Sequence, residues 1–545
     1  MIYGFYTVFF TVLGYFLVKR SFHLMQYYQQ EEYDSGRFFK FLFARKFHLI
    51  DKKVSLVMVA LMPLAYALDR LGIHILIISV VLLIFASSET DPLQDAKKKL
   101  ALTTRVKRIL ALSYIIMIAL IALMIRMEPI QLMPFVLIIS NILLRPVESY
   151  IRHKYYSEAV DILKTLNPVI IGITGSYGKT SIKYMLKHIL SAYAPTLATP
   201  GSVNTLMGIT RVIREDLNAD HKYFLVEMGA YGPGSIARLC DLTPPDHAII
   251  SAVGDAHYER FKSLDNVAQA KFELAQAVFS KQESSDEENM VFVNAELVDP
   301  DYIVTQTEGH ESLVTILHDV QTEENLTPLK DYRAIKIEDA KQTLDGIRFK
   351  LHIPDLEEPL EILAPLYGLH QIGNIALAAS LAHKLGMDPQ AIASVIRSMP
   401  QIKHRLEVIR RRYGSTVIDD TYNANPIGFM SAIDLMRKFK NNTNGRAIVV
   451  TPGIVELGKA HHATHYDLGK KIALQKTDVL VVIRPERVKA LIKGFEDGRK
   501  SEGQILKTFD SFMDAQKWVR DFADDNDVIL YENDLPDLYE RSVHL

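Results

Sequence analysis

The stretch Pro168-Val-Ile-Ile-Gly-Ile-Thr174, continued by Gly175-Ser-Tyr-Gly178-Lys179-Thr180-Ser181, decides how the rest of this 545-residue chain is read. Its first seven residues predict a short buried strand, the glycine turn follows, and a helical pattern runs through Leu190. In such a strand, turn and helix start, backbone N–H groups and the positive end of the helix dipole face an anion, so the segment reads as a phosphate cradle. Gly175, Ser176, Gly178, Lys179, Thr180 and Ser181 are its candidate nucleotide-binding residues. Lys179 would neutralise the β/γ-phosphates and Thr180 would reach a magnesium ion. The general phosphate-loop pattern asks for glycine five residues before Gly178, where Ile173 stands, so a bare motif search fails. An ordinary glycine turn ahead of a helix is the competing reading.

Working outward, the strand Tyr223-Phe-Leu-Val226 ends in Glu227-Met-Gly229, and Gly232-Pro-Gly234 follows. A second strand, His247-Ala-Ile-Ile-Ser251, runs into Val253-Gly254-Asp255-Ala256-His257, with Lys271-Phe-Glu273 on a later helix. Glu227 and His257 therefore sit at the carboxyl ends of strands beside the phosphate loop, where α/β sheets bind ligands. One carboxylate and one imidazole suit a divalent ion that bridges a nucleotide and a substrate. Gly368-Leu-His370-Gln371-Ile-Gly-Asn374 opens an alanine-rich helix. His404-Arg405-Leu406-Glu407 precedes Val417-Ile-Asp419-Asp420-Thr-Tyr422-Asn423-Ala-Asn425-Pro426.

These segments, in this order over about residues 165–470, resemble the motifs of the Mur ligases. The Asp-Asp-Thr-Tyr-Asn-Ala-Asn-Pro run is most similar to the branch that adds D-alanyl-D-alanine. The resemblance implies an α/β fold: a phosphate-loop central domain over 166–402, carrying a small β insertion at about 291–365, then a Rossmann-like C-terminal domain over 403–545. It implies ATP and Mg2+ as cofactors. Thr180, Glu227, His257 and Lys271 would hold the metal, Lys271 as a carbamate. Asn374 would hold the adenine, Asp420 the ribose, and Arg405 would reach the γ-phosphate, with Asn294 near the nucleotide. Lys179, His257, Lys271 and Arg405 are thus the candidate catalytic residues. His404 reads equally well as a structural histidine.

The implied reaction is ATP-dependent: a carboxylate is phosphorylated, an amine attacks the acyl phosphate, and an amide, ADP and phosphate leave. A poly-amino-acid or folate-type ligase shares the central domain and is the alternative within this chemistry; a catalytically silent membrane scaffold is the alternative outside it. Departures bear on the amine. Gly201-Ser202-Val203-Asn204 stands where the family usually has Gly-Asn before a second Asn, and Gln371 where Asn is common. The last strand, Val528-Ile-Leu-Tyr531, runs into Glu532-Asn533-Asp534 instead of a basic Lys-Gly-Ser turn.

The first 145 residues are of another kind. Apolar runs at 2–18, 54–68, 71–88, 109–125 and 129–144 each approach the length of a membrane span, predicting an α-helical transmembrane domain of about five helices. These runs occupy the place of the family's UDP-sugar domain. Loop 19–53 carries eight Lys/Arg and loop 89–108 six, which puts both on the cytoplasmic side. The chain would then be a multi-pass protein of the bacterial plasma membrane, with its catalytic domains in the cytoplasm and the bilayer itself as a partner. A lipid-linked envelope precursor would be the acceptor, and an amino acid or short peptide the amine. Residues 146–165 read as an amphipathic connector at the membrane surface, or as a linker helix packed on the soluble domain. A formal net charge of -2 gives no hint of nucleic acid as a partner. The single cysteine, Cys240, leaves no internal disulfide.

Overall fold

Strand β1 (Val169–Thr174) forms where the apolar run places it, and everything that follows is arranged around it. The structure is a computed structural model. It describes residues 2–31, 33–43, 73–88, 92–93, 100–124, 132–254, 261, 263–283, 288–410, 414–421, 426–454, 457, 460–500 and 503–533. The chain divides into two units, one built on Met1–His153 and one on Lys154–Asp534.

In the second unit, β1 is joined by β2 (Thr196–Ala198), β3 (Tyr223–Glu227), β4 (His247–Ile250), β5 (Met290–Asn294), β6 (Val314–Asp319), β7 (Arg333–Thr343), β8 (Gly346–His352) and β9 (Leu360–Ala364). The sheet order is β2-β3-β1-β4-β5-β6-β7-β8-β9. Pairing is parallel from β2 through β7 and antiparallel from β7 to β9. Helices cover both faces: Lys179–Ser191, Gln371–Lys384 and Pro389–Arg397 enclose one apolar core, and Leu206–Glu215 and Leu264–Gln282 the other. Strands buried on both sides read as unbroken apolar runs, which is why β1, β3 and β4 were legible. The chain leaves β1 toward β2 and β3 on one side and reaches β4 on the other, so the strand order switches at β1 and opens a crevice at its carboxyl end.

Residues 291–365, expected as a small β subdomain, are strands of the main sheet itself. β5 and β6 are parallel members of it, and β7 pairs in parallel with β6 before the β7–β9 meander extends the same sheet. The meander alternates buried and exposed positions because one face meets solvent, and that period-2 pattern resembles an independent β unit.

The second sheet has β10 (Glu407–Arg410), β11 (Thr416–Asp420), β12 (Ala447–Thr451), β13 (Val479–Ile483), β14 (Ile505–Phe509) and β15 (Val528–Glu532), in the order β10-β11-β15-β12-β13-β14. Helices Pro426–Lys440, His461–Leu474 and Lys489–Gly498 pack on one face and Phe512–Phe522 on the other. This is a doubly wound, Rossmann-like arrangement with β10 as an antiparallel edge.

The first unit is helical, with Ile2–Gln30, Ser35–Phe43, Ile73–Ser88, Thr104–Met124 and Met133–Leu143. The expected run 54–68 lies outside the described residues. The first helix continues past position 18 to Gln30, because no proline or glycine interrupts Lys19–Gln30, and it buries Arg20, Ser21, His23 and Gln26. Among the described residues one helix, Thr7–Gln30, is long and apolar enough to cross a membrane. A second candidate arises only if Met133–Leu143 and Arg145–Leu166, bent by 50°, form one broken span. Polar contacts link the helices of this unit: the amide of Asn141 donates to the Tyr28 hydroxyl at 2.7 Å, and the Arg108 guanidinium to Glu148 at 2.7 Å. The connector is the later part of helix Arg145–Leu166, with Pro146 in its first turn. Its Ala159 and Leu163 are buried in the core of the second unit, and its Glu158 accepts from Arg214 at 2.7 Å.

Candidate active site

The loop after β1 is shaped by two glycines in conformations that L side chains avoid, Gly175 at φ 151° and Gly178 at φ 83°. A Cβ at Gly175 would lie 1.9 Å from the Ser251 hydroxyl, so β4 and the loop can approach only because that atom is missing. Ser176 fixes the other side: its hydroxyl donates to the Gly254 carbonyl at 3.0 Å and accepts from the Gly254 N–H at 2.9 Å. The Lys179 ammonium folds over the loop and donates to the carbonyl of Gly175 at 2.6 Å. Desolvation pushes this ammonium below its ordinary value and Arg405 adds to the effect, while Glu227 opposes it.

Glu227, at the end of β3, is 1% exposed. Its Oε2 accepts from the Thr180 hydroxyl at 3.1 Å and from the Lys183 ammonium at 2.9 Å, and its Oε1 accepts from Asn204 at 3.2 Å. The phosphate-loop helix therefore supplies both a hydroxyl and a fully buried cation to one carboxylate. Lys183 lies one helical turn beyond Lys179, and only that spacing hints at it in the sequence. Burial pushes its ammonium below the ordinary value, offset by Glu227. Removing one partner of such a pair leaves an uncompensated buried charge, so Lys183→Ala is expected to cost about 3–5 kcal/mol. Denaturant titration of the full chain checks this, and a change below ~1 kcal/mol would show that the pair is not a structural clamp.

Lys271 lies on helix Leu264–Gln282, is 4% exposed, and makes no hydrogen bond or ion pair among the described residues. Desolvation, reinforced by Lys179, lowers its ammonium far below the ordinary lysine range. It lines a cavity of about 40 Å³ together with Gly175, Ser176, Lys179, Asn204 and Gly229.

A larger cavity of about 140 Å³ unites the two sheets' contributions. Ser176 to Ser181 form one wall, Asn374 and His370 another, and Arg405 and Asp420 come from the C-terminal domain. Asn374 is oriented by Gln371, which accepts from its amide at 2.8 Å, so the glutamine that departs from the usual pattern serves as the holder of the asparagine. Arg405 stands between two residues in the left-handed region, His404 at φ 60° and Leu406 at φ 55°. The Leu406 N–H donates to Asp420 Oδ1 at 3.1 Å, the His404 N–H to Glu407 Oε2 at 3.2 Å, and the His404 ring pairs with Asp419 at 2.9 Å. His404 thus has a structural partner. Burial raises the Asp420 carboxyl to about 6, against the pull of Arg405. Burial lowers His370 to about 4, and Arg405 adds to the effect; its Nδ1 is buried without a hydrogen bond.

The structure thus brings Ser176, Gly178, Lys179, Thr180, Ser181, Asn374, Arg405 and Asp420 to one cavity, with Glu227 bonded to Thr180 and with Gly175 and Lys271 on the adjoining cavity. Asn294 is not on the wall. Buried at the end of β5, it lies behind Gly373, whose Cβ would approach its amide nitrogen to 3.0 Å. His257, Tyr422, Asn423 and Asn425 lie outside the described residues. Sequence reasoning missed Lys183, His370 and Tyr177; His370 and Tyr177, both on the wall of the cavity, stood inside quoted motifs without a role.

Residues 173–382 match the Mur ligase middle domain, and residues 404–531 match the Mur ligase, glutamate ligase domain. The chain is 31% identical over 306 residues to the UDP-N-acetylmuramoyl-tripeptide--D-alanyl-D-alanine ligase of Buchnera aphidicola, covering 56% of this chain and 61% of that one. It is 30% identical over 318 residues to the same-named ligase of Mycobacterium tuberculosis, covering 58% of each. It therefore spans less than two thirds of the length of these relatives. A crystal structure of MurF from Acinetobacter baumannii superposes with a TM-score of 0.59 at 24% identity, over 70% of this chain and 77% of that one. A Thermotoga maritima MurF ligase in complex with ADP gives 0.54 at 22%, over 70% and 80%.

Proposed function

With residues 173–382 a Mur ligase middle domain and residues 404–531 a Mur ligase C-terminal domain, we propose that this chain is an ATP-dependent carboxylate–amine ligase. It joins an amino acid or short peptide to the carboxylate of a cell-wall precursor. One observation carries the reading: two cations from different domains, Lys179 and Arg405, line the same cavity as a glycine cradle. A triphosphate needs its charge offset from more than one side before a carboxylate can approach its γ-phosphorus. The donor set also fits. The start of helix Lys179–Ser191 lines the cavity, where a helix N-terminus suits an anion, and Asn374 and Asp420 offer polar groups for a base and a sugar.

Mg2+ would be held by Thr180, Glu227, His257 and a carbamate on Lys271, and when bound it offsets negative charge between nucleotide and carboxylate. The Thr180 hydroxyl and Glu227 carboxylate suit a hard cation. Lys271 suits carbamate formation: its neutral amine attacks carbon dioxide, an N–C bond forms, and one proton leaves. The low proton affinity imposed by burial supports that step.

In the reaction, Lys179 and Arg405 stabilise charge that develops as the carboxylate oxygen attacks the γ-phosphorus and ADP leaves. The neutral amine nitrogen then attacks the acyl phosphate carbon, phosphate leaves with the C–O electron pair and takes the nitrogen proton, and the amide forms. Lys183 and Asn204 hold Glu227 in place throughout.

The helical first unit we assign to the plasma membrane, with the catalytic domains in the cytoplasm and a lipid-linked muropeptide as acceptor. Support comes from the apolar helix Thr7–Gln30, from the six Lys/Arg that follow it in 31–53 and from the six in 89–108. An ADP-release assay on purified full chain tests both parts, using D-alanyl-D-alanine with either a lipid-linked muropeptide or UDP-N-acetylmuramoyl-tripeptide. ADP release that needs both substrates is expected, with the lipid-linked acceptor preferred. No release with either acceptor would sink the ligase reading; equal or better use of the soluble one would defeat the membrane part alone.

A further inference from the structure

A second cavity, of about 220 Å³, lies apart from the nucleotide cavity, and all of its walls come from the unbroken described stretch 288–410. It sits at the amino ends of β5, β6 and β7, whereas the phosphate loop follows the carboxyl end of β1. Phe292, Thr315 and Arg333 stand in register across the three strands and so share one face of the sheet. Helix Gln371–Lys384 packs on that face and contributes Ser380, His383 and Lys384 from its last turns. The turn Ile353-Pro354-Asp355 after β8 closes the third side. Along the helix, Lys384 lies about 15 Å from Asn374 on the nucleotide cavity.

The lining is rich in unused donors. Ser380 is 2% exposed, and its hydroxyl has no hydrogen bond among the described residues, although a serine inside a helix ordinarily bonds back to the carbonyl four residues earlier. Thr315, also buried, adds a second hydroxyl to the lining. Arg333 donates to Asp355 through one terminal nitrogen, which leaves most of its five N–H groups without an acceptor among the described residues. Lys384 pairs with Glu288. In both pairs the cation lies deeper: the side chains of Arg333 and Lys384 are 34% and 26% exposed, those of Asp355 and Glu288 75% and 56%. Ion pairs this exposed hold weakly, so an incoming anion can compete for the cations. The rest of the lining is largely apolar, from Met290, Phe292, Ile335 and Ile353. Phosphate would leave that wall unused, a hydrocarbon would leave Ser380 and Arg333 unmatched, and a metal ion would be repelled by Arg333 and Lys384. A carboxylate on a short apolar body satisfies both halves, because its two oxygens match the planar guanidinium fork. A cavity of about 150 Å³ takes benzene, so this one has room for about eight or nine non-hydrogen atoms. We propose that the cavity is a binding site for a small aliphatic monocarboxylate, its carboxylate on Arg333 and Ser380 and its body against Phe292 and Ile353. The site stands independently of the ligase reading.

The test titrates the full-length protein with 4-methylpentanoate, and with two controls: 4-methylpentanamide, which keeps the shape and lacks the charge, and inorganic phosphate, which lacks the apolar body. Binding is read by ligand-observed NMR at neutral pH. Wild type is expected to bind the carboxylate saturably, and each control at least about tenfold more weakly. Arg333→Gln should weaken the carboxylate by at least about tenfold and Ser380→Ala by about fivefold, while Lys179→Ala, in the other cavity, leaves it unchanged. Melting temperatures report that each variant is folded; Ser380→Ala removes a hydroxyl that bonds to nothing among the described residues, so it keeps the test open if Arg333→Gln does not fold. Absence of saturable binding by wild type overturns the site, as does equal binding of the amide or of phosphate. Affinity that survives Ser380→Ala and Arg333→Gln but falls in Lys179→Ala would put the carboxylate in the nucleotide cavity and overturn it as well. ADP release is not read in these titrations, so their failure leaves the ligase reading where it stands.

Discussion

Lys179→Ala is expected to lower ATP turnover by at least about 10²–10³-fold, the scale on which preorganised charge at a phosphoryl-transfer site acts. Its ammonium is the one the phosphate-loop helix places over the glycine turn, 2.6 Å from the Gly175 carbonyl, in a cavity otherwise lined by backbone and neutral side chains on that wall. The substitution should leave the fold intact. Burial already disfavours the charged form of Lys179, so deleting it relieves desolvation and leaves no carboxylate unpaired, because Lys183 keeps Glu227 compensated. ADP formation and the melting temperature are measured on the same preparation. Wild-type turnover in the variant would withdraw the assignment of this loop. A large drop in melting temperature would instead mark Lys179 as structural.

The contrast between Lys179 and Lys183 shows what a sequence conveys about such a site. The place of Lys179 over the glycine turn was legible because it follows the strand and turn directly at the start of the helix. Lys183 is the fourth residue of the same helix after Lys179 and could as well have faced solvent; its burial depends on Glu227 arriving from β3, which no local pattern specifies. Glu227, Asn374, Arg405 and Asp420 were legible through ordered motifs, and all four meet at or beside one cavity. Asn294 matched by pattern alone and stands behind Gly373, because the end of β5 faces the helix packed on it. The β7–β9 meander was misjudged for a related reason. Alternation reports one wet face, and it does not say which strand the next one pairs with. The first helix outran its apolar segment because polar residues at 20–26 are buried within that unit, which hydropathy alone does not foresee.

Arg405→Ala is expected to reduce kcat by about 10²–10³-fold while changing the KM for ATP far less, because in the proposed reaction its guanidinium acts on charge that develops at the γ-phosphate. The backbone geometry supports a dedicated role. Non-glycine residues in the left-handed region cost of order 1–3 kcal/mol each, and here two of them, His404 and Leu406, flank the arginine. Asp420, Glu407 and Asp419 hold those conformations through their bonds to Leu406 and His404. A side chain displayed on such a crest gains a fixed direction that a helix or strand would not supply at this point. The same guanidinium pulls Asp420 down toward about 6 against burial, so its loss lets that carboxyl rise further. The sign follows: a carboxylate needed in its ionised form is lost as pH falls through its folded pKa. The acid limb of the wild-type rate profile is therefore expected near pH 6, and in Arg405→Ala it moves to higher pH. Arg405→Lys, which restores charge without the planar fork, should return the acid limb toward its wild-type position yet recover only part of kcat. A variant with kcat within about threefold of wild type and an unmoved acid limb would remove Arg405 from the reaction, since less than ~1 kcal/mol of barrier would then rest on it.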